Sequence, residues 1–501
     1  MTGAVKSQPK ALLRPGPKIE GGLDAVVIGD APDALAAAGL MAKGGLSVML
    51  IERGPTAARE RREFAPGFFC DGGDPIAGAL DAGVADELDL YRHGLSFARR
   101  RLETLVRFSD RAALVFGGDP ALMAEAAGEM SEADADRFRD VVEGVLGDAR
   151  RWGPWFSGAE RAIAPEADDL AASLDQRLAG RFEDARLEDY LRAEALMRAP
   201  GRPTEPYGFL ALAQRWSGDA AGLQAGLAAI AGGERALVAA LRRACQALGV
   251  EFRQTDRIAG AIVEWDAVAG LSLDDGGQIR APIVVSALGA HESFLGLIGR
   301  ARLDIEFANF AAAGGARLAS VRAHVALDAA PEDAVFAARP DRRMIYAPSA
   351  SEIHIAWRMA IEGGAAAPVL AEALAPSSLD PALAPQGAAT IAINLHPVGL
   401  FAPGDDAQRK AVEGAAAATL ERLIPGAAAK IAAIDLEPPV PAAAPVAVAV
   451  ERARIFAEAP GVDGFFFCLP EAQPGARLSL AAGRRAAERA LAYAKAGRIA
   501  R

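Results

Sequence analysis

Two α/β units, one built on a parallel sheet and interrupted by the other, follow from three features of the sequence. A β-branched run, Leu23 to Ile28, leads through a tight turn into an alanine-rich helical stretch and a second apolar run, Leu46 to Ile51. Further short apolar runs of the buried-strand type recur far downstream, at Ile279 to Ala287 and Gly464 to Cys468. The 501 residues exceed what one compact core normally organises.

Composition narrows the rest. The net charge of −11 argues against a nucleic-acid partner, since phosphate binding depends on clustered Lys and Arg. The three cysteines, Cys70, Cys245 and Cys468, are far apart and form no C-x-x-C pair. The histidines stand singly, without metal-ligand spacing. Residues 1–22 carry Lys6, Lys10, Arg14 and Lys18 among prolines and glycines, which reads as a loose leader rather than a secretory signal. No apolar window reaches the length of a spanning helix, so a cytoplasmic protein is expected. Peripheral membrane contact and homo- or hetero-oligomer formation stay open.

The first strand is apolar after Asp24, as a strand buried on both faces of a parallel sheet must be. Gly29-Asp30-Ala31-Pro32-Asp33-Ala34 follows, then helix to Ala42, a stop at Gly44-Gly45, and the second strand with Glu52 at its end. Strand, turn, helix, strand and terminal acid are the parts of a Rossmann dinucleotide site, in which the acid binds the adenosine ribose. The pattern asks for glycine at positions 29, 31 and 34. Gly29 is present, whereas Ala31 and Ala34 replace the other two. Asp30 and Asp33 place carboxylates at the helix amino terminus, where phosphates bind. A carboxylate about 5 Å from a phosphate, at an effective dielectric of about 20, costs roughly 3 kcal/mol, about a hundredfold in affinity. The expectation is a clear fold signal with a weakened phosphate seat.

Later segments fit one long chain of this type. Glu63-Phe64-Ala65-Pro66-Gly67-Phe68, Leu90 to Leu95, Gly232-Gly233-Glu234-Arg235-Ala236-Leu237, Ser378 to Pro385 and Gln473 to Ala487 all resemble segments of the phytoene-desaturase and amine-oxidase superfamily. The resemblance is to its NAD(P)/FAD-dependent oxidoreductase branch and covers nearly everything after the leader. It implies a Rossmann-like FAD-binding domain of the GR2 type, assembled from residues 23–95, 225–296 and 452–495. It also implies a substrate domain of mixed sheet and helices from 96–224 and 297–450. FAD is the implied cofactor. Gly29, Ala31, Ala34, Glu52, Arg53, Ile258, Leu469, Gly475, Arg477 and Leu478 are the positions that would meet it, Ile258 on the adenine side through backbone. Leu469, Ala476, Arg477 and Leu480 stand where the resemblance expects glycines, and Ala57-Ala58 replaces a glycine pair. Pro438 to Val450 reads as a spacer.

Arg477 is open to two roles: pairing with a cofactor phosphate, or pairing with Asp30 or Asp33 to fill an emptied pocket. His291, His354, Trp357 and His396 read as structural, the second and third on a strand, and Cys468 as a small buried hydrophobe. Trp152, Trp155 and Phe156 either line a lipophilic tunnel or anchor a helix. No catalytic side chain is singled out, since a flavin carries its own chemistry. Two functions stay open: an FAD-dependent oxidoreductase acting on a hydrophobic small molecule, and a flavin-free paralogue serving a protein partner.

Overall fold

The computed structural model describes residues 22–53, 60–129, 131–156, 162–197, 201–255, 257–312, 318–402, 404–441, 461–468 and 478–499. Its parallel sheet has five strands. β1 (Ala25–Ile28) is followed by helix α1 (Pro32–Lys43) and β2 (Val48–Glu52). After a long interruption come α2 (Gly233–Ala247), β3 (Glu251–Gln254) and β4 (Ile283–Ser286), and after a second come β5 (Phe465–Phe467) and α3 (Ala481–Ile499). The spatial order is β3-β2-β1-β4-β5, every neighbouring pair parallel. The LDAVVI and GFFFC runs therefore share one sheet although more than 400 residues separate them. α1 and α3 pack on one face with α2, burying Ala34, Leu35, Leu237, Leu241 and Ala486.

The Ile279 to Ala287 run, expected to be one strand, is two. Gln278–Arg280 closes a three-stranded antiparallel sheet with Ile258–Glu264 and Ala267–Leu273, whereas β4 joins the parallel sheet. Pro282 stands between them and has no N–H to donate, so the ladder cannot run through.

The second sheet is mixed and has eight strands. Its long central members are Leu318–Leu327 and Ala389–Gly399, paired antiparallel, and its far end is Thr104–Phe108 with Ala113–Phe116. Helices Glu132–Phe156, Ala185–Leu196 and Gly208–Ser217 pack on that end around Trp152, Phe138, Tyr190 and Trp216, all buried. The Trp152 cluster is thus core packing. Arg343, wholly buried, bonds Glu372 at 2.6 Å and also Glu194, and Arg215 lies 3.5 Å from Glu194. Two guanidinium and two carboxylate groups cancel one another and tie the helical layer to the sheet.

The stretch around His354 and Trp357, expected as a strand, is the helix Ala350–Ile361. Ser349 and Glu352 form a reciprocal capping box at its start, a signal stronger than the short alternation that suggested a strand. Trp357 lies under the Arg202 guanidinium, 4.6 Å from ring centre to Cζ. Of the expected spacer only Pro438 to Pro441 is described, and Val440–Pro441 pairs with the Leu318–Leu327 strand.

Candidate functional site

The carboxyl ends of β1, β4 and β5 lie side by side. The Ala287 amide donates to Ile28 at 2.8 Å, and the Cys468 amide to Ser286 at 2.8 Å. This is the edge at which ligands bind in open parallel sheets. Gly29 turns the chain here at φ +132°, and a Cβ on it would sit 3.0 Å from the Cβ of Ala287, so both backbone and space require glycine. Ala31 is the amino-terminal cap residue of α1 at φ −65°, which any residue adopts. Ala34 is buried one turn into the helix.

Asp33 does not face outward from the end of α1, and this corrects the expected repulsion of phosphate by that residue. Its side chain is wholly buried between α1 and α3, and Oδ1 accepts the Gly483 amide at 3.0 Å. Contact here is close enough that a Cβ on Gly483 would meet the Asp33 carbonyl oxygen at 2.3 Å. Burial pushes the Asp33 carboxyl up to about 6, against the lowering pull of the Gly483 and Ala482 amides and the Arg485 charge. Among the described residues Oδ2 has no hydrogen-bond partner. The cap residue Ala31 has no side-chain group to bond the first amides of α1, and Pro32 at its first position has no N–H.

Glu52 ends β2 as expected, and its carboxylate bonds the guanidinium of Arg242 from α2, which also lies over the Phe252 ring at 4.6 Å. Arg53 is exposed and bonds Glu292. Ile258 is half-buried against the apolar cluster that holds Val26, Ile28 and Ile51. Leu478 is buried against α1 and α3. Leu469, Gly475 and Arg477 lie outside the described residues, as do Ala57 and Ala58. The structure thus brings Gly29, Ala31, Ala34, Glu52 and Leu478 to one sheet edge or the helices above it, whereas the Ile258 side chain serves the packing beneath. His291 is exposed at the start of the helix His291–Gly299, and His396 is buried with Nδ1 2.9 Å from Ser320 Oγ. Burial drives the Cys468 thiol well above its usual range, in keeping with an inert residue.

A second feature was not foreseen. Between the two sheets lies a cavity of about 210 Å³. Three of the segments that carry the family resemblance converge on it: Phe69 and Cys70 just after the EFAPGF turn, Gly232-Gly233 at the start of α2, and Leu379, Asp380 and Leu383. The floor is the face of the eight-stranded sheet bearing Thr390 and Ala392, with His324 opposite Ala392 in register. His324 Nε2 bonds Glu437 at 2.8 Å. Burial raises the Glu437 carboxyl, but the His324 bond and the Arg322 charge outweigh it and hold the group below its usual range. At the rim Arg61 bonds Asp71 at 2.8 Å and Asp380 at 2.6 Å, while Arg235 bonds Asp71 at 3.2 Å. Sequence reasoning missed His324 and Thr390. A signal was available: Ser320, Arg322 and His324 alternate along an otherwise apolar strand, which marks one face of a sheet turned toward polar company.

Several solved structures share this arrangement. An oxidoreductase from Methanosarcina mazei superposes with a TM-score of 0.60 at 15% identity over 91% of this chain and 99% of its own. Putrescine oxidase bound to putrescine gives 0.59 at 16% identity over 96% and 99%. Cyclohexylamine oxidase from Brevibacterium oxydans gives 0.59 at 15% identity over 96% and 100%. The chain has their fold. No family model matches the sequence. The expected Rossmann-like domain with a mixed-sheet companion is therefore the architecture present, shared with amine oxidases over nearly the whole length. Among the described residues no helix is long and apolar enough to cross a membrane.

Proposed function

We propose that the protein is an FAD-dependent oxidoreductase acting on a small, largely apolar molecule. The observation that carries this reading is the uncapped amino terminus of α1, set at the carboxyl edge of β1 beside Gly29, with Asp33 turned away into α3. A pyrophosphate suits such an end, because the helix dipole favours negative charge there. In this reading Glu52, at the end of the neighbouring strand, would meet the ribose hydroxyls, with Arg242 balancing its charge. The fold shared with putrescine oxidase and cyclohexylamine oxidase supports the same reading.

FAD, when bound, supplies hydride acceptance. The chain supplies orientation and exclusion of water: apolar walls at Phe69, Ile230, Leu379 and Leu383, and a histidine whose ring is held by a carboxylate. The absorption spectrum of the purified protein, with FAD titration followed by quenching of flavin fluorescence, tests the proposal. Flavin bands or saturable quenching are expected; a colourless protein that leaves FAD fluorescence unchanged overturns it. A flavin-free paralogue acting through a partner is the second reading. Ala31 favours it, since its methyl group stands where the backbone must approach the pyrophosphate.

A further inference from the structure

We infer that the tip of the hairpin formed by Ile258–Glu264 and Ala267–Leu273 is a docking point for a protein partner that presents an arginine or lysine side chain to Trp265. This goes beyond the flavin reading and holds with or without a bound flavin.

Exposure singles the residue out. Trp265 is 93% exposed, and no other large hydrophobic side chain among the described residues is exposed to that extent. A single exposed apolar residue is common on protein surfaces. The backbone beneath this one is not. Glu264 pairs with Ala267, so Trp265 and Asp266 are the central residues of a two-residue hairpin, at φ +54° and +62°. Such a turn favours Asn-Gly, and a bulky L-residue is strained in it. An indole in water contributes no packing that would offset that strain. Strain kept where the fold gains nothing from it fits a role in contact with another molecule, and tryptophan is the side chain most used as an anchor in protein interfaces.

Position leaves the candidate site open. The Asp463 amide donates to the Asp266 carbonyl at 2.8 Å, and the Val268 amide to the Asp463 carbonyl at 2.8 Å. Asp463 precedes β5, so the tip stands toward the amino ends of the parallel strands, away from their carboxyl edge.

Charge selects the occupant. Glu264 and Asp266 flank Trp265 in the turn, and Asp463 lies in the segment bonded to it. Arg280 engages Glu264 at 2.5 Å, whereas Asp266 and Asp463 form no ion pair among the described residues. An aromatic ring beside two uncompensated carboxylates suits a cation, above all a guanidinium, which stacks on the ring and bonds carboxylates. The same carboxylates repel an anionic membrane, and a symmetric pairing of two such tips would set like charges against each other.

Fluorine NMR on the full-length protein labelled with fluorotryptophan tests this, with the Trp265 signal assigned from Trp265→Phe. A hexapeptide of alternating arginine and glycine should shift that signal saturably. Its citrulline counterpart, equal in shape but neutral, should not. Asp266→Asn combined with Asp463→Asn should weaken the arginine peptide about fivefold. Restoring the favoured turn with Trp265→Asn and Asp266→Gly should raise the melting temperature, a change that a tryptophan kept for folding would reverse. The inference is overturned if the arginine peptide leaves the signal unmoved, if citrulline serves equally, if the aspartate variant binds as tightly, or if the restored turn lowers the melting temperature. It is equally overturned if phosphatidylglycerol vesicles, or a rise in protein concentration alone, shift the signal. Flavin content of the same sample decides the cofactor reading separately.

Discussion

The carboxyl edge of the parallel sheet and the cavity between the sheets keep glycine to different extents: of the described residues the edge motif has Gly29 alone, whereas the cavity wall has Gly73, Gly232 and Gly233, all at positive φ. At the sheet edge glycine survives only where geometry compels it, at Gly29, while positions with ordinary backbone angles have become Ala31 and Ala34. At the cavity Gly73 is compelled twice over: its φ is +85°, and a Cβ would lie 2.4 Å from Glu234 Oε2. The comparison separates two kinds of position: those where the backbone itself demands glycine, and those such as 31 and 34 where ordinary backbone angles admit alanine.

Substitutions can break or sharpen that contrast. Gly73→Ala should cost the most, about 3–4 kcal/mol in denaturant unfolding, combining left-handed strain with overpacking against Glu234. A loss below about 1 kcal/mol would mean that the wall yields and that the glycine is not structural.

Asp33→Asn comes next, and its effect depends on pH. The folded carboxyl titrates at about 6 instead of 3.8, so between those values the native state binds more protons than the unfolded chain. Stability therefore falls as pH rises through this window, by up to about 3 kcal/mol. The asparagine variant should lack that fall and be the more stable at neutral pH; identical pH profiles for the two proteins would refute the buried placement.

Ala31→Gly should raise FAD affinity about tenfold if room for the pyrophosphate is what the edge lacks. Asp33→Asn should move the affinity much less, because that carboxylate faces α3. The reverse ranking, read by fluorescence titration, would restore direct phosphate repulsion as the cause. Arg53→Ala removes only an exposed ion pair with Glu292 and should change stability by less than about 0.5 kcal/mol; a larger change in thermal unfolding would show that Arg53 does more than decorate the strand end.

Much of the fold could be read from local pattern. β1, β2, β4 and β5 are short runs of apolar residues, and burial on both faces of a parallel sheet demands that composition. Periodicity failed where two signals competed: at Pro282, where apolar character continued through a break in the ladder, and at Ser349–Glu352, where a capping box outranked alternation. The site divided in the same way. Gly29 and Glu52 were legible because strand, turn and strand are contiguous. Thr390, His324 and Glu437 were not, since antiparallel register and a third strand unite them over more than a hundred residues. Asp33 was identified as important and given the wrong direction, because its partner, the Gly483 amide, lies 450 positions away.

That distance also governs how the molecule is made. β1 emerges first, but β4, its neighbour, is more than 250 residues downstream, and β5 arrives only at Phe465. The parallel sheet can therefore not close during most of synthesis, whereas the Leu318–Leu327 and Ala389–Gly399 pair can zip as soon as both have left the ribosome. Until α3 docks on α1, the alanine face of α1 and the open edge of β4 are exposed to the solvent. The edge of β4 that β5 covers thus stays without its neighbour until the chain has been made through Phe467.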